Sequence, residues 1–366
     1  SVKQKLPSAR IRGLFCVNLR EKNPKGRSVA RNRFCVAKVT FCANLREKNP
    51  KARSPKFVLC NKSYLPEPCK RRTLQCKMTY SEIFWNATRG YANYLWHEIL
   101  HPHWGNFFYW LIGLSAAVYV LELLFPWRKN QPRIRKDFWL DTFYMFFNVF
   151  LFSLIGYAGV SDVAVKAFND FLAGVFGIRN LVAINVAALP HWTQLLILLV
   201  VRDFIQWNTH RLLHRVPRLW EFHKVHHSVA QMGFAAHLRY HFMETIVYRA
   251  IEYIPLAMIG FGIQDFMLVY VFTLAIGHLN HANIYLPLGP LKYILNSPQM
   301  HIWHHAKELP EGRYGVNYGI TLSIWDYLHR TVWMPFEGRD IELGFPEVEQ
   351  YPHGFLEQVA EPFKSK

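Results

Sequence analysis

The hydropathy of this chain is organised in long apolar runs separated by short charged segments. FFYWLIGLSAAVYVLELLF, from Phe107 to Phe125, holds 19 residues with one charge, close to the length that crosses a bilayer core. Trp104, Trp110 and Trp127 lie at or near its ends, where interfacial aromatics collect. FWLDTFYMFFNVFLFSLIGYAGV, from Phe138 to Val160, is a second span, with Asp141 near its start. Residues 161–189 are mixed and read as a loop with an amphipathic helix. WTQLLILLVVRDFIQW, from Trp192 to Trp207, returns towards the side on which the first span ended. The stretch from Ile246 to Ile276 is broken at Gly260 into two halves of about 14 residues, short for two full crossings, which predicts a tilted or half-depth hairpin. From His278 onwards the chain is more polar. The pattern predicts an all-α integral membrane helical bundle of about four spans or half-spans.

Charge fixes the expected orientation. Between the first two spans, RKNQPRIRKD carries five basic residues and one acid, and short basic loops stay in the cytoplasm. The histidines discussed below then fall on the cytoplasmic side. The formal net charge of +18 does not indicate a nucleic-acid partner, because residues 1–77 hold 21 Lys and Arg against 3 Asp and Glu and so carry all of it. All six cysteines lie in that leader too, and FCVNLREKNPK at Phe15 returns as FCANLREKNPK at Phe41. The leader has no apolar stretch of a signal peptide, no CxxC pair and no helical or strand periodicity. It is expected to be disordered or to lie outside the native protein, with activity residing after Met78. Four segments follow: residues 1–77, the leader; 78–189, the first spans and their connection; 190–335, a catalytic segment; and 336–366, a tail.

Histidine carries the chemistry. Twelve of the 18 histidines lie between His210 and His305. HRLLH places His210 and His214 four apart. HKVHH places His223, His226 and His227 together, and HIWHH repeats the arrangement at His301, His304 and His305. On a helix, spacings of three and four bring side chains to one face. So many polar rings beside apolar spans are costly unless paired or metal-bound. Neutral imidazole suits iron, zinc and copper. Eight rings exceed one four-coordinate zinc, and two metals fit the count better. No thiol follows residue 77, which excludes iron–sulfur and haem-thiolate ligation; an all-imidazole pair suits oxygen activation by iron. Isolated histidines (His97, His101, His103, His191, His329 and His353) read as interfacial.

The order His-x3-His, His-x2-His-His, His-x2-His-His resembles the sterol desaturase and fatty acid hydroxylase superfamily of membrane di-iron oxygenases. HRLLHRVPRLWEFHKVHHS, HANI at His281 and NYGITLSIWDYLHRT at Asn317 match its style, and the resemblance covers roughly Leu195 to Pro335. It implies metal ligands at His210, His214, His223, His226, His227, His301, His304 and His305, joined by His281 and by His241 in LRYHFMET, where Phe242 stands in place of the usual proline. His237 and His278 are weaker candidates. Asp203 is expected either to orient a ligand by accepting its second ring N–H or to pair with a neighbour such as Arg202. Glu244 is a candidate for a similar supporting role, and Asn317 and Asp326 for fixing the last segment. The resemblance also implies two iron ions, dioxygen, a lipid substrate (a sterol, a fatty-acyl lipid or a carotenoid) and a separate electron donor, cytochrome b5-like or ferredoxin-like. It leaves hydroxylation and desaturation open. A histidine-rich membrane metal transporter is the rival from another class, but transporter ligands sit mid-membrane, whereas these clusters flank the spans at one end. A membrane zinc hydrolase is a second rival; HEILH at His97–His101 has the HExxH spacing but stands apart from the histidine boxes.

Overall fold

The computed structural model describes residues 78–259, 261 and 263–364, whose regular structure is helical, with isolated β-bridges and no strand among them. The readings made of residues 1–77 lie outside the described residues. The compact unit Thr79–Lys366 opens with α1 (Tyr80–Leu100), which the apolar pattern does not announce. Its signal is a capping box: the Glu82 amide donates to Thr79 Oγ1, and the Glu82 carboxylate accepts from the Thr79 amide, satisfying two donors that a helix start leaves unpaired.

α2 (Phe107–Leu124) is the first apolar run, capped by Asn106. The second begins as α3 (Phe138–Phe146), passes through two π-helical turns and continues as α4 (Ala158–Val175). The mixed stretch expected to hold a loop and an amphipathic helix begins as the continuation of this helix and is non-helical over residues 177–185. Gly156 adopts φ 128° at the junction, a conformation open to glycine and strained for other residues. By length and composition, Phe107–Leu124 and Phe138–Val175 could cross a membrane. α5 (His191–Arg215) and α6 (Pro217–His227) follow, with Pro217 in the first turn of α6, where its missing N–H costs nothing. The long apolar stretch forms α7 (Phe242–Ile259) and α8 (Ile263–His281), separated near the glycines as expected. α9 (Pro298–His304), α10 (Ile324–His329) and α11 (Phe355–Ala360) are short.

The helix ends sort into two groups. At one end, the Trp127 amide, just past α2, donates to the Asn283 carbonyl, just past α8. Buried Glu122 near the end of α2 accepts the amides of Phe234 and Asn283. Asn148 of the first π turn donates to the carbonyls of Leu238 and Tyr240. The basic loop joins the same end through Gln131 to the Met232 carbonyl and Arg135 to the Gln231 carbonyl. The C-terminal ends of α5 and α8, which carry His210, His214 and His281, meet there. At the other end, the amides of Ala183 and Ile184 bond the Met258 carbonyl near the end of α7. Leu95, Phe107, Leu111, Met145, Phe150, Leu238 and Leu274 form one apolar core between these ends, and Leu198, Leu256 and Val269 another.

Asp141, near the start of the second apolar run, has partners within the fold. It is fully buried and bonds Arg135 and Arg239, each at 3.0 Å. Arg239, 1 % exposed, also reaches Asp137 and Ser228. A buried charge is tolerated only when paired and hydrogen-bonded, and this network ties the start of α3 and the basic loop to the segment after HKVHH.

Candidate metal centre

Nine imidazoles converge into two groups. His210, His214, His223, His227 and His304 form one; His226, His281, His301 and His305 form the other. In each group the ligand-capable atoms lie within 4.8 Å of one another, and every ring is buried. The two HxxHH boxes are divided crosswise. The i, i+4 pair His223 and His227 joins the first group while His226 joins the second; the i, i+4 pair His301 and His305 joins the second while His304 joins the first. Residues four apart on a helix point within about 40° of each other, whereas the residue at i+3 lies on the opposite flank. Each box therefore faces both groups, where the spacing alone suggested a single direction.

Backbone carbonyls fix the protonation of these rings. His210 Nδ1 donates to the Tyr318 carbonyl at 2.8 Å, His214 Nδ1 to Tyr314 at 3.2 Å and His304 Nδ1 to Val316 at 2.8 Å. The three carbonyls belong to alternate residues of one short non-helical segment. His226 Nδ1 donates to the Arg239 carbonyl at 3.0 Å, and His281 Nδ1 to Gly277 at 2.8 Å. A carbonyl only accepts, so each of these Nδ1 atoms carries the hydrogen and each Nε2 is a lone pair. Burial keeps the rings neutral, holding His210 down to about 4 and His226 to about 3.

Several of the inward nitrogens have no hydrogen-bond partner. His214 Nε2 and His304 Nε2 are buried without a hydrogen-bond partner, as are His227 Nε2 and His305 Nδ1. His226 Nε2 and His281 Nε2 face each other at 3.4 Å with neither able to donate. Buried polar atoms left unsatisfied are expensive, and lone pairs crowded together repel. A cation at the centre of each group removes both costs. The donor set fits a borderline metal such as iron or zinc, with second-ring N–H groups already oriented.

The surrounding residues divide by what they touch. Glu244 Oε2 lies 3.0 Å from His223 Nδ1, and burial pushes this carboxyl well above the usual carboxylate range. Asp326 accepts from Trp207 Nε1, from the amides of Tyr318 and Gly319 and from the Thr331 hydroxyl. Asn317, at φ 51°, bonds the Met300 and Trp333 carbonyls and the Trp333 amide. Together they hold the 314–319 segment against the first group. Of the two roles expected for Asp203, orienting a ligand ring is not the one seen: it accepts from the Thr321 and Leu322 amides and from Trp325 Nε1, which anchors α10 to α5.

His241 is also corrected. It lies outside both groups, with Nε2 donating to the Val359 carbonyl at 3.0 Å and Nδ1 accepting the Met243 amide at 3.1 Å. Both nitrogens are committed to backbone. His237 and His278 bond each other at 3.0 Å through Nδ1, and His278 Nε2 reaches Ser115 Oγ at 3.1 Å. The His237 ring lies beside that of His281, over Gly277, where a Cβ would overlap it. These two rings flank the second group without entering it. Sequence reasoning missed Arg239, whose signal was the pair of acids Asp137 and Asp141 at the start of an apolar run.

Residues 195–331 match the family model described as fatty acid hydroxylase. The chain is 30% identical over 279 residues to an ornithine lipid hydroxylase of Rhizobium tropici, covering 75% of this chain and 80% of that protein. This chain belongs to the fatty acid hydroxylase family. Family members further away include the alkylglycerol monooxygenases of Xenopus tropicalis (33% identical over 147 residues) and human (32% over 136 residues), which match 38% and 35% of this chain and 30% and 28% of their own lengths. No solved structure matches the chain. The family segment begins inside α5 and ends just past α10, so it contains all nine converging histidines and every carbonyl that orients them.

The anchoring of the 314–319 segment generates a test. Asp326→Ala leaves the Trp207 indole and the Tyr318 and Gly319 amides without an acceptor. Hydrogen exchange of the amides of residues 316–319 should then accelerate by roughly tenfold or more, as expected for losing about 2 kcal/mol of local protection. Unchanged exchange would show that Asp326 does not hold the segment.

Proposed function

We propose that this protein is a membrane-bound non-haem di-iron hydroxylase of a polar lipid. The observation that carries the reading is the set of buried imidazole nitrogens left without a hydrogen-bond partner in two adjoining groups. His210, His214, His223, His227 and His304 would hold one iron, and His226, His281, His301 and His305 the other. Iron, when bound, supplies the redox chemistry that reduces dioxygen. The overall change is insertion of one oxygen atom into an unactivated C–H bond. The other oxygen leaves as water after uptake of two electrons and two protons, the electrons coming from a separate donor protein. The chain's own contribution is pre-organisation: carbonyls of Tyr314, Val316, Tyr318, Arg239 and Gly277 set the imidazole tautomers, and burial excludes water. The names of the relatives, an ornithine lipid hydroxylase and the alkylglycerol monooxygenases, support hydroxylation over desaturation and a lipid with a polar headgroup. They also weigh against the transporter and zinc hydrolase readings. Within the chain, residues 190–335 act as the catalytic segment and 78–189 as its membrane anchor, with the histidine end facing the cytoplasm.

The metal assignment predicts close to two irons per chain after aerobic expression with iron. His226→Ala and His304→Ala, one from each group, should each lower the iron content and abolish hydroxylated lipid. His241→Ala should keep wild-type iron stoichiometry, because its nitrogens bond backbone. Full activity in either group variant would contradict the assignment.

The orientation predicts how single cysteines label once the six native ones are replaced. Asn130→Cys and Ala230→Cys, both at the histidine end, should react with an impermeant reagent only from the cytoplasmic side. Arg179→Cys, in the connection before α5, should react only from the opposite side. Labelling of all three from one side would refute the crossing.

A further inference from the structure

The face beyond His214 carries three guanidinium groups without counter-ions. The Arg211 guanidinium lies 4.5 Å from the centre of the Trp207 ring, Arg215 6.0 Å from Tyr314 and Arg313 5.9 Å from Trp333. Arg211 and Arg215 lie four apart on α5, Arg215 sits over the Tyr314 ring, and Arg313 is the residue before Tyr314, so the three share one face. Among the described residues none of the three pairs with a carboxylate. Glu311 is the acid nearest in sequence to Arg313, and the buried Asp326 carboxylate is already bonded to four donors. Clustered like charges repel each other, and their field attracts a partner of opposite sign.

Beneath this face the wall over the first histidine group is one residue thick. Tyr314 is 62 % exposed, and its carbonyl accepts directly from His214 Nδ1. Gly315 has no side chain to separate them; a Cβ there would lie 2.9 Å from His214 Nδ1. The path from solvent to a group-one imidazole is therefore a single exposed residue and one hydrogen bond.

We infer that Arg211, Arg215 and Arg313, grouped around Tyr314, form the docking surface for an acidic one-electron donor protein. This rests on the oxidative reading above and adds to it where the electrons enter. An acidic protein seated on the three guanidiniums brings its redox centre against Tyr314, over His214. Solvent-exposed charges at such a face set encounter rate, and their attraction weakens with ionic strength.

The test compares two reductants on the iron-loaded protein in neutral-lipid vesicles. One is a plant-type ferredoxin with its reductase, which is acidic and must dock. The other is a reduced viologen, a small cation that needs no site. The triple variant Arg211→Gln, Arg215→Gln, Arg313→Gln should raise the KM for ferredoxin roughly tenfold or more and abolish the salt dependence of that reaction. Viologen-driven turnover, lipid KM and iron content should stay at wild-type values. The corresponding triple Lys variant should restore most of the ferredoxin affinity by keeping the charge. An unchanged ferredoxin KM in the Gln variant would overturn the proposal. So would a defect that appears equally with viologen, or one confined to vesicles containing anionic lipid, which would make the arginines headgroup contacts. If the wild-type protein forms no product with viologen, the oxidative reading itself fails.

Discussion

Everything at the centre of this molecule depends on where five ring hydrogens sit. The Nδ1 hydrogens of His210, His214, His226, His281 and His304 are all given to backbone carbonyls. A main-chain acceptor cannot titrate or turn away, so the tautomer of each ring follows from the fold. The remaining nitrogens are lone pairs, buried and aimed at one another. A protein arranged this way tolerates an unfavourable interior in the absence of metal and gains when a cation neutralises it. The supports outside the rings serve this purpose. Asp326 and Asn317 hold the segment that offers three of the carbonyls, and the Asp141–Arg239 pair fixes the residue that offers a fourth.

The doubled HxxHH motif has a geometric reason. A pair at i, i+4 supplies two nearly parallel ligands, and the ring at i+3 points to the other flank. Two such helices facing each other exchange their third rings, so each group draws on both boxes. Neither box alone completes a group; His210 and His214 from α5 complete one, and His281 from α8 the other. Because the two groups share boxes, losing one ring strains both.

Much of this was legible in the sequence because imidazole spacing on a helix is a rigid rule. The eight box histidines and His281 lie in the two groups, and the apolar runs became α2, α3 and the α7–α8 pair. What was not legible depended on partners distant in the chain. His241 looks like a ligand by its place in LRYHFMET, and only the fold shows the Val359 carbonyl, 118 residues away, taking its ring hydrogen. Asp203 sits on the helical face of His210, yet the amides of residues 321 and 322 reach it first. The pairing of Asp141 was not legible either, because hydropathy cannot reveal that two arginines from separate segments close on it. α1 was missed because its apolar pattern is weak, although its capping box was written in Thr79 and Glu82. The crosswise division of the boxes could not be foreseen from spacing, since it needs the two helices to face each other.

The central claim is that two groups of five and four imidazoles each hold one iron. Mössbauer spectroscopy of isotopically enriched protein tests it most directly, because it counts iron environments without requiring turnover. The account predicts two quadrupole doublets of equal area in the native protein, with unequal changes when His304→Ala perturbs the five-membered group. A single doublet accompanied by one iron per chain would contradict it.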